Sequence, residues 1–479
     1  MSDLHPDQPL GPFVDGATVG GSGTLEVRNP FDGGPVADVE VADAALTRRA
    51  VSHALEHLPP PPPGERARVL RDAAAAVEDA AEAFALTICL EAGKPIAQAR
   101  GEVARTVETI RFAAAEALTL TGEMVPMDAS AYGAGKIGML MREPIGVVGA
   151  ISPFNFPLNL VAHKVAPAIA AGCPVVLKPA SATPLSALLL ARVLTDAGLP
   201  PGALAVLPGP SKGVGDTIVA HPDVPMISFT GSGPVGWGIA ADQPAKRVAL
   251  ELGNSSPVVI AADADLDLAA SRIAASGFTH AGQSCVSVQR VYVEREAHAD
   301  FMTRLVAAVE GLVVGDPRDP RTDVGPVIDT ESQERIMNWI TGAARGAATV
   351  ATGGTQEGRL IAPTVLDGIT PAMKVSCEEV FGPVVGVAAV DSVAEGVARA
   401  NETPFGLQAA VFTSRIDRAL SWAAQLRFGG VLINETPTFR VDQQPYGGVK
   451  ESGNTREGPR WAVRNMTEQK LVVLPVADG

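Results

Sequence analysis

The sequence predicts an α/β protein built on doubly wound parallel sheets, and two observations carry that expectation. Between residues 146 and 251, short apolar runs at 146–151, 175–178, 204–207, 225–229 and 247–250 alternate with helical windows near 160–171, 185–197, 213–220 and 234–242. A second alternating series runs from 257 to about 431, so two sheets are expected. Strands separated by helices of this length form βαβ units, whose crossovers build parallel sheets. Such sheets bind ligands at the carboxyl ends of their strands, where the helices begin.

The remaining elements follow in chain order. The first 45 residues are rich in glycine and turn residues and read as short antiparallel strands. The five-proline run at 59–63 is a stiff, solvated connector. A helix is expected from 65 to about 92, stopped by Gly93 and Pro95. Residues 124–141 alternate and carry Gly133 and Gly135, the pattern of a hairpin. The most apolar tract, 146–177, is interrupted by Pro153, Pro157, His163, Lys164, Pro167 and Pro174. A spanning helix needs ~20 uninterrupted apolar residues, so this tract is core. No internal repeat is visible.

Composition narrows the function classes. With 479 residues, 46% of them apolar, the chain can bury large cores, and a net charge of −15 argues against a general nucleic-acid binder. Cys89, Cys173, Cys285 and Cys377 lie too far apart for a metal knuckle, and a disulfide framework does not suit a chain of this length. No metal site is expected. A reduced, cytoplasmic compartment is, since the opening residues lack the basic and apolar regions of a leader. There is no HExxH and no Walker A motif, because Ile137 follows Gly135-Lys136.

Four features remain that carry chemistry. Gly231, Gly233 and Gly236 form a GxGxxG that follows a strand and opens a helix, where backbone can approach a pyrophosphate. Lys178 ends a strand, a place from which an ammonium can hold ribose or phosphate. Cys285 lies in a polar loop before an apolar strand, whereas Cys89 and Cys173 lie in apolar surroundings. A nucleophilic cysteine needs an activating partner and donors for an oxyanion. Asn155, between two aromatics and two prolines, and Glu251, a carboxylate ending an apolar strand, fit those roles.

Together these segments resemble the NAD(P)-dependent aldehyde dehydrogenase superfamily. Pro-Phe-Asn-Phe-Pro at 153–157, Leu-Lys-Pro at 177–179, Phe-Thr-Gly-Ser at 229–232, Glu-Leu-Gly at 251–253 and Gly-Gln-Ser-Cys at 282–285 match in order. Glu-Glu-Val-Phe-Gly-Pro at 378–383, Phe-Gly-Leu at 405–407 and Pro-Tyr-Gly-Gly-Val-Lys-Glu-Ser-Gly at 445–453 continue the match. The resemblance spans nearly the whole chain, and the 34-residue spacing from Glu251 to Cys285 agrees with it.

The resemblance implies that Cys285 attacks an aldehyde to give a thiohemiacetal and then a thioester. Asn155 and the Cys285 backbone N–H would hold the oxyanion, and Glu251 would activate the hydrolytic water. It places Ser152, Lys178, Ser181, Gly231, Ser232, Glu379 and Phe381 on the coenzyme. The implied domains are 1–123 with 142–251 for NAD(P), 252–453 for catalysis, and 124–141 with 466–479 as an oligomerisation arm of a homodimer or homotetramer.

Three positions depart from the commonest family pattern. Ser181 replaces a frequent glutamate that repels a 2′-phosphate, so NADP is expected to be accepted alongside or ahead of NAD. Asn254-Ser255 replaces Gly-Lys, a change without a functional reading. Pro234 replaces a glutamate and suits the first helical turn.

The stretch 438–442 resembles that of members acting on lactaldehyde-like, phosphonoacetaldehyde-like or other short polar aldehydes. Arg440, with Arg105 as a second candidate, would bind an anionic tail through its guanidinium fork. The alternative for Arg440 is an internal salt bridge. Arg290 is common across the family and is not read as a specificity residue. Two rival functions stay open: a CoA-acylating dehydrogenase, against which Glu251 speaks, and a non-catalytic structural protein on the same fold.

Overall fold

The computed structural model describes residues 10–476. Residues 1–9 and 477–479, the two ends of the chain on which the leader reading and the limits of the first domain and the arm fall, lie outside the described residues. The first sheet has the strand order Arg247–Glu251, Met226–Thr230, Val148–Ile151, Val175–Lys178, Leu204–Val206, Phe13–Val14, Ala17–Thr18. Its first five strands are parallel and the last two close it antiparallel. From Val148–Ile151 the chain winds outward one way through Val175–Lys178, then returns to lay Met226–Thr230 on the other side. The winding therefore reverses between Val148–Ile151 and Met226–Thr230, and a ligand crevice opens at the carboxyl ends of those strands.

The second sheet runs Thr349–Thr352, Thr364–Asp367, Val384–Val390, Arg290–Glu294, Pro257–Ile260, Gln408–Phe412, Gly430–Ile433. All but the first strand are parallel. Each sheet is sealed by its own helices over an extensive buried core. Parallel strands buried on both faces read as continuous Val/Ile/Ala runs, which is why the alternation was legible. The second sheet turns its other end to the centre of the molecule. Residues 252–256 lead from the carboxyl end of Arg247–Glu251 straight to the amino end of Pro257–Ile260. Cys285, Glu379 and Phe381 also precede strands of that sheet. The carboxyl-end rule thus holds for the first sheet only.

The 124–141 hairpin is present as Glu123–Val125 paired antiparallel with Lys136–Pro144, and Thr467–Pro475 adds a third strand along its full length. Two helical expectations need correction. The 65–92 helix is two, Pro63–Asp79 and Ala81–Ala92, broken where Ala80 leaves helical geometry (φ −95°, ψ 18°) although no glycine or proline marks the place. Pro63 thus belongs to a helix rather than to the connector. The window at 213–220 is helical only over Asp216–Ala220, because Gly213 sits at φ 103°. Gly93 does end its helix, in the left-handed conformation. Pro234 occupies the first turn of Gly233–Asp242. Among the described residues no helix is long and apolar enough to cross a membrane.

Candidate active site

The loop before Arg290–Glu294 is pinned in an unusual conformation. His280 and Ala281 both take positive φ (50° and 53°), and Gly282 follows at 71°. A Cβ on Gly282 would lie 2.0 Å from the Gly382 carbonyl, so only glycine lets this loop touch the one carrying Phe381. Phe381 is itself left-handed at φ 47° and packs edge-on against Phe154, with ring centroids 5.8 Å apart. The Asn155 side chain donates from Nδ2 to the Gln283 carbonyl at 2.9 Å. That bond brings the 153–157 loop against the cysteine loop and leaves the second Nδ2–H free to point elsewhere.

Cys285 is half-buried, and its Sγ lies 2.9 Å from the Tyr446 hydroxyl. Burial pushes the thiol up to about 12, and the Tyr446 hydrogen bond offsets only part of that. The resting group is a thiol, so attack requires a base. Glu251 is 5% exposed and neither carboxylate oxygen has a hydrogen-bond partner among the described residues. Burial, then the charge of Glu457, hold its carboxyl well above the ordinary range. Glu251 lies close enough to Cys285 for its charge to push the thiol further up. Such an acid–base group, elevated and unpartnered beside a sulfur, has the features of a working base.

Three neighbours of this chamber are not read as site residues from the sequence. Lys164 is buried and donates to Thr230 Oγ1 at 2.7 Å and Ser228 Oγ at 3.2 Å. Glu457 pairs with Arg440 at 2.9 Å. Tyr446 sits inside a motif read above, but its contact with the sulfur crosses 161 positions of chain. Only tertiary structure assembles these groups.

Arg440 and Arg105 are both engaged internally. Arg440 is 6% exposed in its side chain, bonds Glu457, approaches His163 Nε2 at 3.0 Å and stacks on the Tyr446 ring. The salt-bridge alternative for Arg440 is therefore present, although its Nε is buried without a partner among the described residues. Arg105 forms a fork on Asp442, with distances of 2.8 and 3.3 Å. Burial raises the Asp442 carboxyl, but the His163 hydrogen bond and the Arg105 charge outweigh it and hold the group well below the usual range. Arg290 is fully buried on the Ser255 carbonyl and the Tyr292 hydroxyl, a packing role.

The remaining site residues line the crevice of the first sheet. Ser152 follows Val148–Ile151, and its buried hydroxyl has no partner among the described residues. Lys178 ends the neighbouring strand with Nζ on the Pro179 carbonyl at 3.2 Å, its ammonium pulled down by burial. Ser181 donates to the Gly209 carbonyl at 2.9 Å. Gly231 and Ser232 precede the helix Gly233–Asp242, whose first amides receive no side-chain cap from Ser232. Across the gap, Glu379 accepts from the Asn254 N–H at 3.0 Å and is raised to about 7 by burial. An unpartnered hydroxyl, an ammonium and an open helix N-terminus at a winding reversal fit a dinucleotide.

Comparison with known proteins identifies the family and the fold. The model of the aldehyde dehydrogenase family matches residues 18–472. A 3-sulfolactaldehyde dehydrogenase of Priestia megaterium is 40% identical over 475 residues, covering 99% of this chain and all of that protein. Among solved structures, aldehyde dehydrogenase 21 from Physcomitrella patens in complex with succinate superposes with a TM-score of 0.95 at 38% identity, covering 98% of this chain and 99% of that one. The NADP-dependent glyceraldehyde-3-phosphate dehydrogenase from Bacillus halodurans, complexed with NADP, gives 0.95 at 35% identity, covering 98% and 100%.

Proposed function

The chain belongs to the aldehyde dehydrogenase family, NAD(P)-dependent oxidoreductases acting on aldehydes, and from that premise we propose that it oxidises a short aldehyde with an anionic tail to the free carboxylic acid. The observation that carries this reading is the buried, unpartnered Glu251 carboxylate beside the Cys285 thiol. A thiol held near 12 cannot ionise alone at neutral pH, and Glu251 supplies the base.

The Cys285 sulfur adds to the carbonyl carbon while its proton passes to Glu251. The carbonyl oxygen takes the negative charge and is met by the free Nδ2–H of Asn155 and the Cys285 backbone N–H. Losing one such donor costs about 3–4 kcal/mol of barrier. A nicotinamide held by Glu379 and Phe381 would supply the hydride acceptor, and loss of the hydride from the former carbonyl carbon would leave a thioester on Cys285. Glu251, having released its proton to solvent, takes one from water. The hydroxide oxygen bonds to the acyl carbon, the C–S bond breaks, and the sulfur leaves with the proton that Glu251 took from the water. Because Glu251 is built for this second step, hydrolysis is favoured over transfer to CoA.

The coenzyme would rest on Ser152, Lys178, Ser181, Gly231 and Ser232 at its adenosine and pyrophosphate end, and on Glu379 and Phe381 at its nicotinamide end. NADP acceptance is supported by a serine, not a carboxylate, at 181 and by the Lys178 ammonium three residues away. The Ser181 proton is given to Gly209, so attraction for a 2′-phosphate falls to Lys178 until that hydroxyl rotates. We assign coenzyme binding to 1–123 with 142–251, catalysis to 252–453 and homo-oligomer assembly to 124–141 with 466–479. Exposed Met124, Ile137, Met141, Leu471 and Val473 on the antiparallel sheet support the last. A reduced, cytoplasmic setting suits the nucleophilic thiol.

The anionic tail is supported by the free Arg440 Nε–H beside Tyr446, by Arg105 nearby, and by relatives whose names carry a sulfonate, a carboxylate and a phosphate. The test is absorbance at 340 nm with succinic semialdehyde and 3-sulfolactaldehyde against propanal and lactaldehyde, each with NADP and NAD. A tenfold or greater kcat/KM advantage for the anions, ~1.4 kcal/mol, is expected. Equal values would return Arg440 to a purely internal salt bridge.

A further inference from the structure

The loops bearing Asn155 and Cys285 come from different elements, yet both are tied to the start of one helix. That helix is Ile96–Thr119, and Gln98 and Glu102 in its first two turns lie four residues apart, hence on one face. Gln98 Oε1 accepts from the His280 backbone N–H at 2.8 Å, while its Nε2 donates to the Asp323 carbonyl at 2.7 Å. His280 opens the left-handed turn that delivers Cys285, and the Gln283 side chain bonds back to the His280 carbonyl at 3.1 Å.

Glu102 holds the other loop. Its Oε1 accepts from the Leu158 and Asn159 amides at 3.0 and 3.1 Å. These amides begin the helix Asn159–Ala171, whose own N-cap residue provides no side-chain bond. Glu102 is thus an N-terminal cap supplied from a different helix. Its second oxygen pairs with Lys94, both side chains being 1% exposed. Lys94 Nζ in turn sits 3.7 Å from the ring centroid of Phe156, the residue after Asn155. The 153–157 loop is gripped at Phe156 by a cation and just beyond its end by the partner carboxylate.

We infer that Gln98, Glu102 and Lys94 are positioning residues that set the separation of the Asn155 amide from the Cys285 sulfur. This rests on the reading of Asn155 as the oxyanion donor. Neither Lys94 nor Glu102 touches the reacting atoms. A buried ion pair contributes little net stability compared with apolar packing, so its value here lies in geometry. A misplacement of about 1 Å at a catalytic group can cost on the order of a hundredfold in rate.

The test is a double-mutant cycle on the single-turnover rate of NADPH formation, enzyme in excess over aldehyde. E102A is expected to slow this step tenfold to a hundredfold, with the NADP dissociation constant changed less than twofold. E102Q, which keeps an acceptor for the two amides, restores part of the loss. In the N155A background E102A slows the step no further, because the group it positions is already gone. Multiplying losses in N155A/E102A would overturn the inference, since they would show Glu102 acting independently of Asn155. If E102A does not fold, Q98A with N155A gives the same cycle through a single hydrogen bond. A wild-type rate in N155A alone would remove the oxyanion reading and the positioning role with it. A slow N155A with multiplying losses removes only the positioning role.

Discussion

The Arg440 guanidinium sits over the ring of Tyr446, its central carbon 3.9 Å from the centroid, while the Tyr446 hydroxyl lies 2.9 Å from the Cys285 sulfur. A cation over an aromatic face is attracted to the ring quadrupole and fixes its tilt. Through Glu457 the same arginine is linked to the charge group around Glu251. The surroundings of Cys285 and of Glu251 are thus joined through one side chain.

The Y446F variant removes the only hydrogen bond shown to the sulfur among the described residues. Because that bond lowers the thiol and burial raises it, its loss moves Cys285 further up. A hydrogen bond to a charged group contributes about 1.5–3 kcal/mol, so alkylation of Cys285 by iodoacetamide at pH 8 slows roughly ten- to a hundredfold. An unchanged alkylation rate would remove Tyr446 from thiol activation.

E251Q removes the base from both half-reactions. A positioned base contributes about 10²–10⁴-fold, so steady-state kcat falls by that order. Single-turnover NADPH formation slows as well, so no burst of one equivalent precedes the steady state. Mass spectrometry finds Cys285 free during turnover; a full burst with the acyl group held on Cys285 would confine Glu251 to hydrolysis.

The pH profile carries the sign of the Glu251 shift. Its carboxyl is raised by burial and by Glu457, and the base form is the active one. The rate therefore climbs with pH through a value well above that of an ordinary glutamate. In E457Q the nearby negative charge is gone, so the acid limb moves to lower pH. A limb that stays in place, or moves up, contradicts the coupling.

Ser181→Glu tests coenzyme choice. A carboxylate beside the 2′-position repels phosphate, so kcat/KM with NADP falls at least tenfold while the NADH-forming reaction changes little. If wild type already favours NAD by a hundredfold, NADP acceptance is wrong.

R440A leaves Glu457 buried without its partner, and breaking such a pair costs about 3–5 kcal/mol in urea unfolding. Burial raises Glu457, but His163, Arg440 and Lys164 outweigh it and hold the group below its usual range. Its stabilisation is therefore complete above the unfolded carboxylate range and is lost as pH falls through the lower folded value. Wild type loses Tm on acidification, and R440A loses less. Equal acid sensitivity would mean that this pair does not carry the effect.

What the sequence determined by itself was the content that local chemistry encodes. Apolar runs with helical spacers specify two parallel sheets, because period and length are properties of neighbouring residues. Asn155, Glu251 and Cys285 stood out because each is a polar group at the edge of apolar chain. Tertiary structure alone decided which groups meet. The Tyr446–Cys285 contact, the Lys164 and Glu457 charges around Glu251, and the commitment of Arg440 to an internal pair join residues far apart in the chain. So does the Glu102 cap on Leu158 and Asn159, 56 and 57 positions away. Such contacts leave no periodicity to read, and the pKa shifts they set depend on burial and on charges from other elements. The break at Ala80 belongs here too, since no local residue marks it.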